Sequence, residues 1–252
     1  METNSDKLPI SVLVAGCNEA NILDNCLRSI SFCEDINYVD LDSTDNSIQI
    51  AEKFGANIIR HPKVPIVEII REKYYRTLKY PWIIILDPDE EFDEELAKYI
   101  RKLFTEGIGE NVAGVNFPWV FYFKNHRLKG TPWGGAKNRV FLMHKDRNIL
   151  TDQVHSGRRI IEPNQDILIP FRGENIVHHY RMNGYKQLFE KHRRYLKHEP
   201  QIRYGLGKRT TLKSVLKPPY PLLDMHISVD AGIKTGTLAF SYPYSGCGTN
   251  RR

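Results

Sequence analysis

The chain contains few cysteines, four among 252 residues. No two of them form a Cys-x-x-Cys pair, and none has a companion histidine at zinc-finger spacing. The sequence therefore predicts neither a disulfide scaffold nor a structural zinc site. Buried, reduced thiols are expected, as in a cytoplasmic protein.

Long apolar runs are also missing. The longest lie within residues 82–86 and 112–123, well short of the ~20 residues that a membrane-spanning helix needs. Residues 1–9 are polar and lack the apolar segment of a secretory signal peptide. These absences predict a cytoplasmic protein without a membrane span.

No extreme of composition marks the chain as disordered or fibrous, since 41% of its residues are hydrophobic and 26% are charged. The net charge is +6, from 36 basic and 30 acidic residues, and the basic surplus falls from residue 126 onward. A solvated face, a phosphate-bearing ligand and an anionic membrane surface are three interpretations of it. Nucleic-acid binding is not predicted, because no recognition motif is present and the basic residues are scattered among acids and aromatics.

Short apolar runs alternate with amphipathic stretches through about residue 105. The runs predict strands at residues 10–15, 36–41, 57–60 and 82–86. The apolar spacing between them predicts a first helix, which Asn18 or Asn21 can cap, and two more helices at residues 44–54 and 66–78. Such alternation predicts an α/β fold whose mostly parallel sheet carries helices on both faces.

Beyond residue 107 the sequence becomes aromatic and rich in strand-forming residues. It predicts strands at residues 115–123, 139–143 and 167–169, a turn at residues 129–135 and an amphipathic helix at residues 183–197. Past residue 200, prolines and glycines predict a loosely ordered tail.

Two acids directly follow the most apolar predicted strand. Asp87 and Asp89 are two residues apart, so their carboxylates can converge on one cation, and oxygen donors suit Mg²⁺ or Mn²⁺. An acidic helix start is the alternative, and it suits Glu94 and Glu95 better because these acids lie further along, where a helix begins. The sequence predicts a metal or ligand site at Asp87 and Asp89.

A second set of polar residues ends the strand at residues 36–41. Local capping accounts for Ser43, Thr44 and Asp45 without a ligand. Asp40 stands at the strand end, where parallel sheets bind ligands. We expect its carboxylate to accept hydrogen bonds from a nucleoside.

Three stretches, residues 10–19, 39–47 and 82–92, resemble in order and spacing the signature stretches of family 2 glycosyltransferases. The resemblance implies the GT-A fold and transfer of a sugar, with inversion, from a nucleotide diphosphate to an acceptor. It also implies a nucleotide-sugar-binding half at residues 8–110, an acceptor-binding half at residues 111–200 and a C-terminal extension at residues 201–252.

The acceptor half is similar to the bacterial subgroup that includes lipopolysaccharide-core glucosyltransferases. The matching segments are residues 138–141, 154–156, 178–180 and 191–195. Of the two histidines at positions 178 and 179, one is expected to be a core or capping residue.

The resemblance implies a role for each acid at the strand ends. Asp40 would contact the base or ribose of the nucleotide, and Asn18 or Glu19 would lie at the rim of its pocket. Asp87 would lie near the ribose and diphosphate, with Asp89 on a Mg²⁺ or Mn²⁺ ion to which Asp87 also contributes.

Arg71 falls where the family has an Arg-Asn pair, although Glu72 replaces the asparagine. The resemblance therefore implies a nucleotide or phosphate contact for Arg71. An arginine on a solvated helix face is the alternative.

Inverting transfer needs a general base within hydrogen-bond reach of the acceptor hydroxyl. At residues 154–156 the subgroup has Val-His-Glu, whereas this chain has serine in place of the glutamate. Asp152, His155, Glu90 and Glu91 remain as substitutes, with Asp152 and His155 ranked equal and Glu91 next. His155 is alternatively a metal ligand, a role that a late histidine has in some GT-A enzymes.

The sequence thus predicts an inverting, metal-dependent glycosyltransferase that uses a nucleotide sugar, such as a UDP-hexose, and a glycan or glycolipid acceptor. A nucleotide-sugar-binding protein without transfer activity is the alternative, favoured by Ser156 and by Leu41, where the family often has an acid. A nucleotidyltransferase would need a glycine-rich basic phosphate loop, which residues 16–20 do not supply. Peripheral contact with an anionic membrane is assigned to Arg193, Arg194, Lys208, Arg209, Lys213 and Lys217.

Overall fold

A computed structural model describes residues 7–124, 126–129, 135–152, 157–182, 184, 185 and 193. Within these residues the strands are β1 (Leu8–Gly16), β2 (Cys33–Asp40), β3 (Asn57–Arg60), β4 (Trp82–Leu86), β5 (Glu90–Phe92), β6 (Val112–Phe123), β7 (His126–Arg127), β8 (Lys137–His144), β9 (Asn148–Leu150), β10 (Arg158–Ile160), β11 (Gln165–Leu168) and β12 (Val177–Met182). The α-helices are α1 (Leu23–Ser29), α2 (Ser47–Lys53), α3 (Glu68–Tyr74) and α4 (Glu94–Glu106).

Ten of these strands form one sheet. Its order is β3-β2-β1-β4-β8-β6-β12-β5, and β7 and β11 also pair with β6. The first four strands are parallel to one another, whereas β8 runs antiparallel to both β4 and β6. Strands β9 and β10 form a separate antiparallel pair. The predicted α/β class with a mostly parallel sheet is confirmed.

Both faces of the parallel half are covered, as alternating side chains require. Along β1, Val12 and Val14 pack into the hydrophobic cluster that contains α1, α2 and α4. Leu13 and Ala15 pack on the other face, in the cluster that contains Ile70 of α3. The apolar runs of β1 and β4 are therefore continuous because neither face of these strands meets water.

Several predicted boundaries changed in the structure. The predicted cap of α1 is wrong: its N-cap is Ile22, which makes no side-chain capping hydrogen bond. α2 begins at Ser47 rather than at residue 44, since Ser43 and Thr44 bond to the loop after β1. The helix predicted at residues 66–78 ends at Tyr74 and continues as a short 3-10 helix.

Parts of the second half lie outside the described residues. These are most of the predicted turn at residues 129–135, most of the predicted helix at residues 183–197, and the tail from residue 201. Among the residues that are described, no helix is both long and apolar enough to cross a membrane. Cys17, Cys26 and Cys33 are free thiols, and the latter two are buried, as predicted.

An ion pair links β10 to β11 beside the start of β6. The two terminal guanidinium nitrogens of Arg158, Nη1 and Nη2, donate to the carboxylate of Asp166, at 2.7 Å each. The pair lies against Gly114, where a Cβ would come within 2.7 Å of Arg158 and 2.9 Å of Asp166. Glycine at this position therefore leaves room for the two-point ion pair to lie against β6.

Candidate active site

The candidate site lies where the chain order of the parallel strands reverses. β1 is flanked by β2 and β4, and its last residues pair with both: Gly16 with Asp40, and Val14 with Leu86. Parallel α/β sheets bind ligands at the carboxyl ends of strands at such a switch point. The fold therefore brings the two predicted acidic segments to opposite sides of the end of β1.

The segment between β4 and β5 is a tight turn. The backbone N–H of Glu90 donates to the carbonyl of Asp87 at 2.9 Å. In return, the backbone N–H of Asp87 donates to the Glu90 carboxylate at 2.9 Å. The turn is thus closed from both sides, which fixes the backbone that carries Asp87 and Asp89.

The Asp87 carboxylate faces two arginines. Arg71 of α3 donates to one oxygen at 2.6 Å, and Arg139 of β8 lies 4.0 Å from the other. The Arg71 side chain is only 17% exposed, so it does not lie on a solvated helix face. The structure places Arg71 in the candidate site, against Asp87.

Asp89 meets a histidine from the far end of the sheet. Nε2 of His179 lies 3.2 Å from a carboxylate oxygen of Asp89, and the backbone N–H of Tyr180 donates to the Asp89 carbonyl at 2.8 Å. The indole of Trp119 stacks on the imidazole of His179 with 5.0 Å between ring centroids. Asp89 and His179 therefore form an oriented oxygen and nitrogen pair.

The Asp89–His179 pair has the spacing of two ligands of one divalent ion. Two ligands at about 2.1 Å and at right angles around Mg²⁺ lie about 3 Å apart, close to the observed spacing. No group of three or more His, Cys, Asp or Glu side chains in the described part of the chain is arranged to hold a metal. An ion held by Asp89 and His179 fits if substrate phosphates supply further oxygens, as is usual for Mg²⁺.

Glu90 is a buried acid beneath these groups, with no exposed surface. Its carboxylate accepts a hydrogen bond from Arg139 at 2.5 Å. Burial raises the pKa of Glu90 to about 7, while Arg139 opposes the rise and Asp87 adds to it. Glu90 therefore depends on Arg139 to hold a negative charge in the interior.

Asp40 ends β2 with a carboxylate that is only partly satisfied. One oxygen accepts from the backbone N–H of Ser43 at 3.2 Å. The other is buried and has no hydrogen-bond partner, and the residue is 4% exposed. A buried acceptor without a partner is costly, so this oxygen suits a donor group of a ligand.

The loop after β1 is tied to the loop after β2. Asn18 adopts a φ of 60°, and its side-chain oxygen accepts from the backbone N–H of Thr44 at 2.7 Å. The backbone N–H of Glu19 donates to the hydroxyl of Ser47 at 2.9 Å. Both residues therefore lie beside the end of β2, where the rim of a nucleotide pocket was predicted.

The described base candidates lie on different segments of the chain: Asp152 follows β9, and Glu90 and Glu91 are on β5. Asp152 is exposed in the segment after β9, and His155 lies outside the described residues. Glu91 pairs across the strands with His178, whereas its neighbour Glu90 points to the opposite side of β5. Burial raises the pKa of Glu91, against a hydrogen bond from Asn25 and the charge of His178.

Two side chains near the acids, Arg139 and His179, were not predicted as site residues, and Glu90 was predicted only as a substitute base rather than as a buried partner of Arg139. The tandem histidines at positions 178 and 179 were the available signal for His179, since strand alternation sends them to opposite faces. His178 contacts Tyr122 at 2.9 Å and Asp93 at 3.3 Å. His179 is the one that reaches Asp89.

Comparison with known proteins identifies the family. The model of glycosyl transferase family 2 matches residues 11–161, which is more than half of the chain. The chain therefore belongs to this family.

Individual relatives match over shorter stretches. An uncharacterized glycosyltransferase of Rickettsia bellii (strain RML369-C) is 31% identical over 97 residues, covering 38% of this chain and 32% of that protein. The chain spans about a third of the length of the curated relatives it matches.

Solved structures show weaker likeness. Glucosyl-3-phosphoglycerate synthase from Mycobacterium tuberculosis, in complex with Mn²⁺, UDP and glucosyl-3-phosphoglycerate, is 17% identical with a TM-score of 0.36 over 46% of this chain and 44% of that one. S. aureus TarS 1–349 in complex with UDP is 17% identical with a TM-score of 0.38 over 49% and 38%.

Proposed function

We propose that the protein transfers a sugar from a nucleotide diphosphate sugar to a hydroxyl of a glycan or glycolipid, by a metal-assisted single displacement with inversion. The observation that supports this most is the placement of Asp40 and of Asp87 with Asp89 on either side of β1 in a family 2 domain. At about 4.8 Å per strand, the two sides are roughly 10 Å apart. A nucleoside diphosphate laid across the strand ends would span them.

A donor screen tests this function. UDP-, GDP- and dTDP-sugars would be titrated, and turnover measured with a panel of glycan and glycolipid acceptors and as slow hydrolysis without an acceptor. We expect a UDP-hexose to bind and to turn over. Binding without transfer or hydrolysis across the panel would instead identify a nucleotide-sugar-binding protein, the alternative that Ser156 and Leu41 favour.

In this proposal Asp40 binds the base or ribose through its unpartnered oxygen. Replacing Asp40 with alanine is expected to weaken UDP binding by about 10- to 150-fold, because hydrogen bonds to a charged group contribute about 1.5 to 3 kcal/mol. Turnover at saturating donor should change less. Titration calorimetry measures the affinity, and equal affinity for the wild type and the variant would contradict the assignment.

Asp89 is proposed as a ligand of Mg²⁺ or Mn²⁺, with His179 as its partner in place of the predicted His155. Asp87 is held by Arg71, so we propose that it orients Arg71 and the diphosphate rather than completing the metal site. A bound divalent ion would neutralise the charge that develops on the leaving diphosphate. Asp89 and His179 would hold it at the switch point of the sheet.

The acceptor side is proposed to be the half at residues 111–200, as in the lipopolysaccharide-core subgroup, with donor binding at residues 8–110. The extension at residues 201–252, together with Arg193 and Arg194 at the end of the acceptor half, would contact an anionic membrane surface from the cytoplasm. Of the six basic residues assigned to this contact, only Arg193 is among the described residues, and it is exposed. Sedimentation with anionic vesicles tests the contact. No binding of the protein to the vesicles at low salt, where charge attraction is strongest, would contradict it.

A further inference from the structure

Glu90 links the acidic turn to two neighbouring strands, β8 and β12. It lies on β5, its carboxylate accepts from the backbone N–H of Asp87, and it accepts from Arg139 on β8. Its Oε1 is also 3.9 Å from Nδ1 of His179 on β12. One buried carboxylate therefore contacts the turn, the neighbouring arginine and the histidine that faces Asp89.

Aromatic rings hold the partners of Glu90 in place. The guanidinium of Arg139 lies over Trp119 at 4.9 Å and over Phe141 at 4.8 Å from the ring centroids. Trp119 also stacks on His179. Such stacking fixes a planar cation in one orientation, so the hydrogen bond from Arg139 reaches Glu90 from a fixed direction.

A buried charge of this kind is costly unless it is paired. The cost of burying Glu90 is offset by Arg139 and by the backbone N–H of Asp87. Asp87 belongs to the turn that carries Asp89, and His179 lies 3.9 Å from the Glu90 carboxylate. We infer that Glu90, braced by Arg139, is the positioning residue that holds Asp89 and His179 at metal-binding separation. The inference rests on the proposed function, because it concerns the metal pair named there.

The variant Glu90→Gln tests this role. Glutamine keeps the size of the side chain but removes the charge that Arg139 and His179 face. Loss of a group that orients metal ligands lowers metal affinity by about 10- to 100-fold. We expect that loss in Mn²⁺ affinity, measured by electron paramagnetic resonance with UDP present, and an unchanged affinity for UDP without metal.

The Arg158–Asp166 ion pair offers a matched control. Its side chains are 19% and 22% exposed, and it lies against Gly114 near the start of β6. Asp166→Asn, like Glu90→Gln, removes the acidic charge that faces an arginine, and we expect it to leave Mn²⁺ affinity within twofold of the wild type. Thermal unfolding of both variants then separates a loss of stability from a loss of metal positioning.

Three results would overturn parts of this scheme. Mn²⁺ affinity within twofold of the wild type in Glu90→Gln would overturn the inference, as would an equal loss in Asp166→Asn. If the wild type binds no Mn²⁺ with UDP, the proposed function fails and the inference with it. Should Glu90→Gln not fold, the double variant Glu90→Gln with Arg139→Met replaces it, because it leaves no unpaired buried charge. The same 10- to 100-fold loss of Mn²⁺ affinity is expected of it.

Discussion

Asp89→Ala is expected to abolish divalent-dependent sugar transfer while leaving the fold intact. The residue follows the buried strand β4 on a turn that Asp87 and Glu90 close without its side chain. A bound metal contributes several kcal/mol to stabilising the transition state, and each 1.36 kcal/mol is a factor of about ten in rate. We therefore expect a loss on the order of a thousandfold, measured as UDP release with and without Mn²⁺.

The control for this variant is Glu94→Ala. Glu94 lies five residues further along, and its side chain is 83% exposed in the first turn of α4. Its removal should leave both activity and metal dependence as in the wild type. Circular dichroism and thermal unfolding check that Asp89→Ala folds. Metal dependence unchanged in Asp89→Ala would refute the proposed role of Asp89.

Loss of the general base should give the second large effect, about 100- to 10,000-fold in kcat. Asp152→Asn, His155→Ala and Glu91→Gln are made separately, because each removes one candidate while keeping the others. Only the variant that lacks the true base should lose most of its kcat with little change in donor affinity. Steady-state kinetics with saturating UDP-sugar, together with donor titration, distinguish the three.

The structure sharpens what each outcome would mean. Glu91 pairs with His178 across the strands and is half-buried, so its loss should also disturb the edge of the sheet. Asp152 is exposed, so its loss should not affect stability. If none of the three variants loses more than about tenfold in kcat, the single-base mechanism is wrong as assigned.

Most of the sheet could be predicted because parallel strands covered on both faces appear as continuous apolar runs. The bounds of β3 and β4 are those predicted, and β1 and β2 differ from the prediction only at their ends. Helix starts could not be predicted as well. Asn18 suggested a local cap, but its amide bonds to Thr44, 26 residues away.

The acidic part of the candidate site was also predictable. The carboxyl ends of neighbouring parallel strands meet at one edge, so Asp40 and Asp87 had to lie near each other once β1, β2 and β4 were recognised. Their partners were not predictable. Arg139 is 49 residues from Glu90, and His179 is 90 residues from Asp89.

The sequence by itself determined the alternation of strands and helices, the family, and the acids at the strand ends. Only the tertiary structure decided which side chains face those acids. The reason is that alternation within one strand fixes a face, whereas contact between β5, β8 and β12 depends on pairing and register across the whole sheet. In that register His179 lies opposite Glu90 and reaches Asp89, while His178 lies opposite Glu91 and turns away.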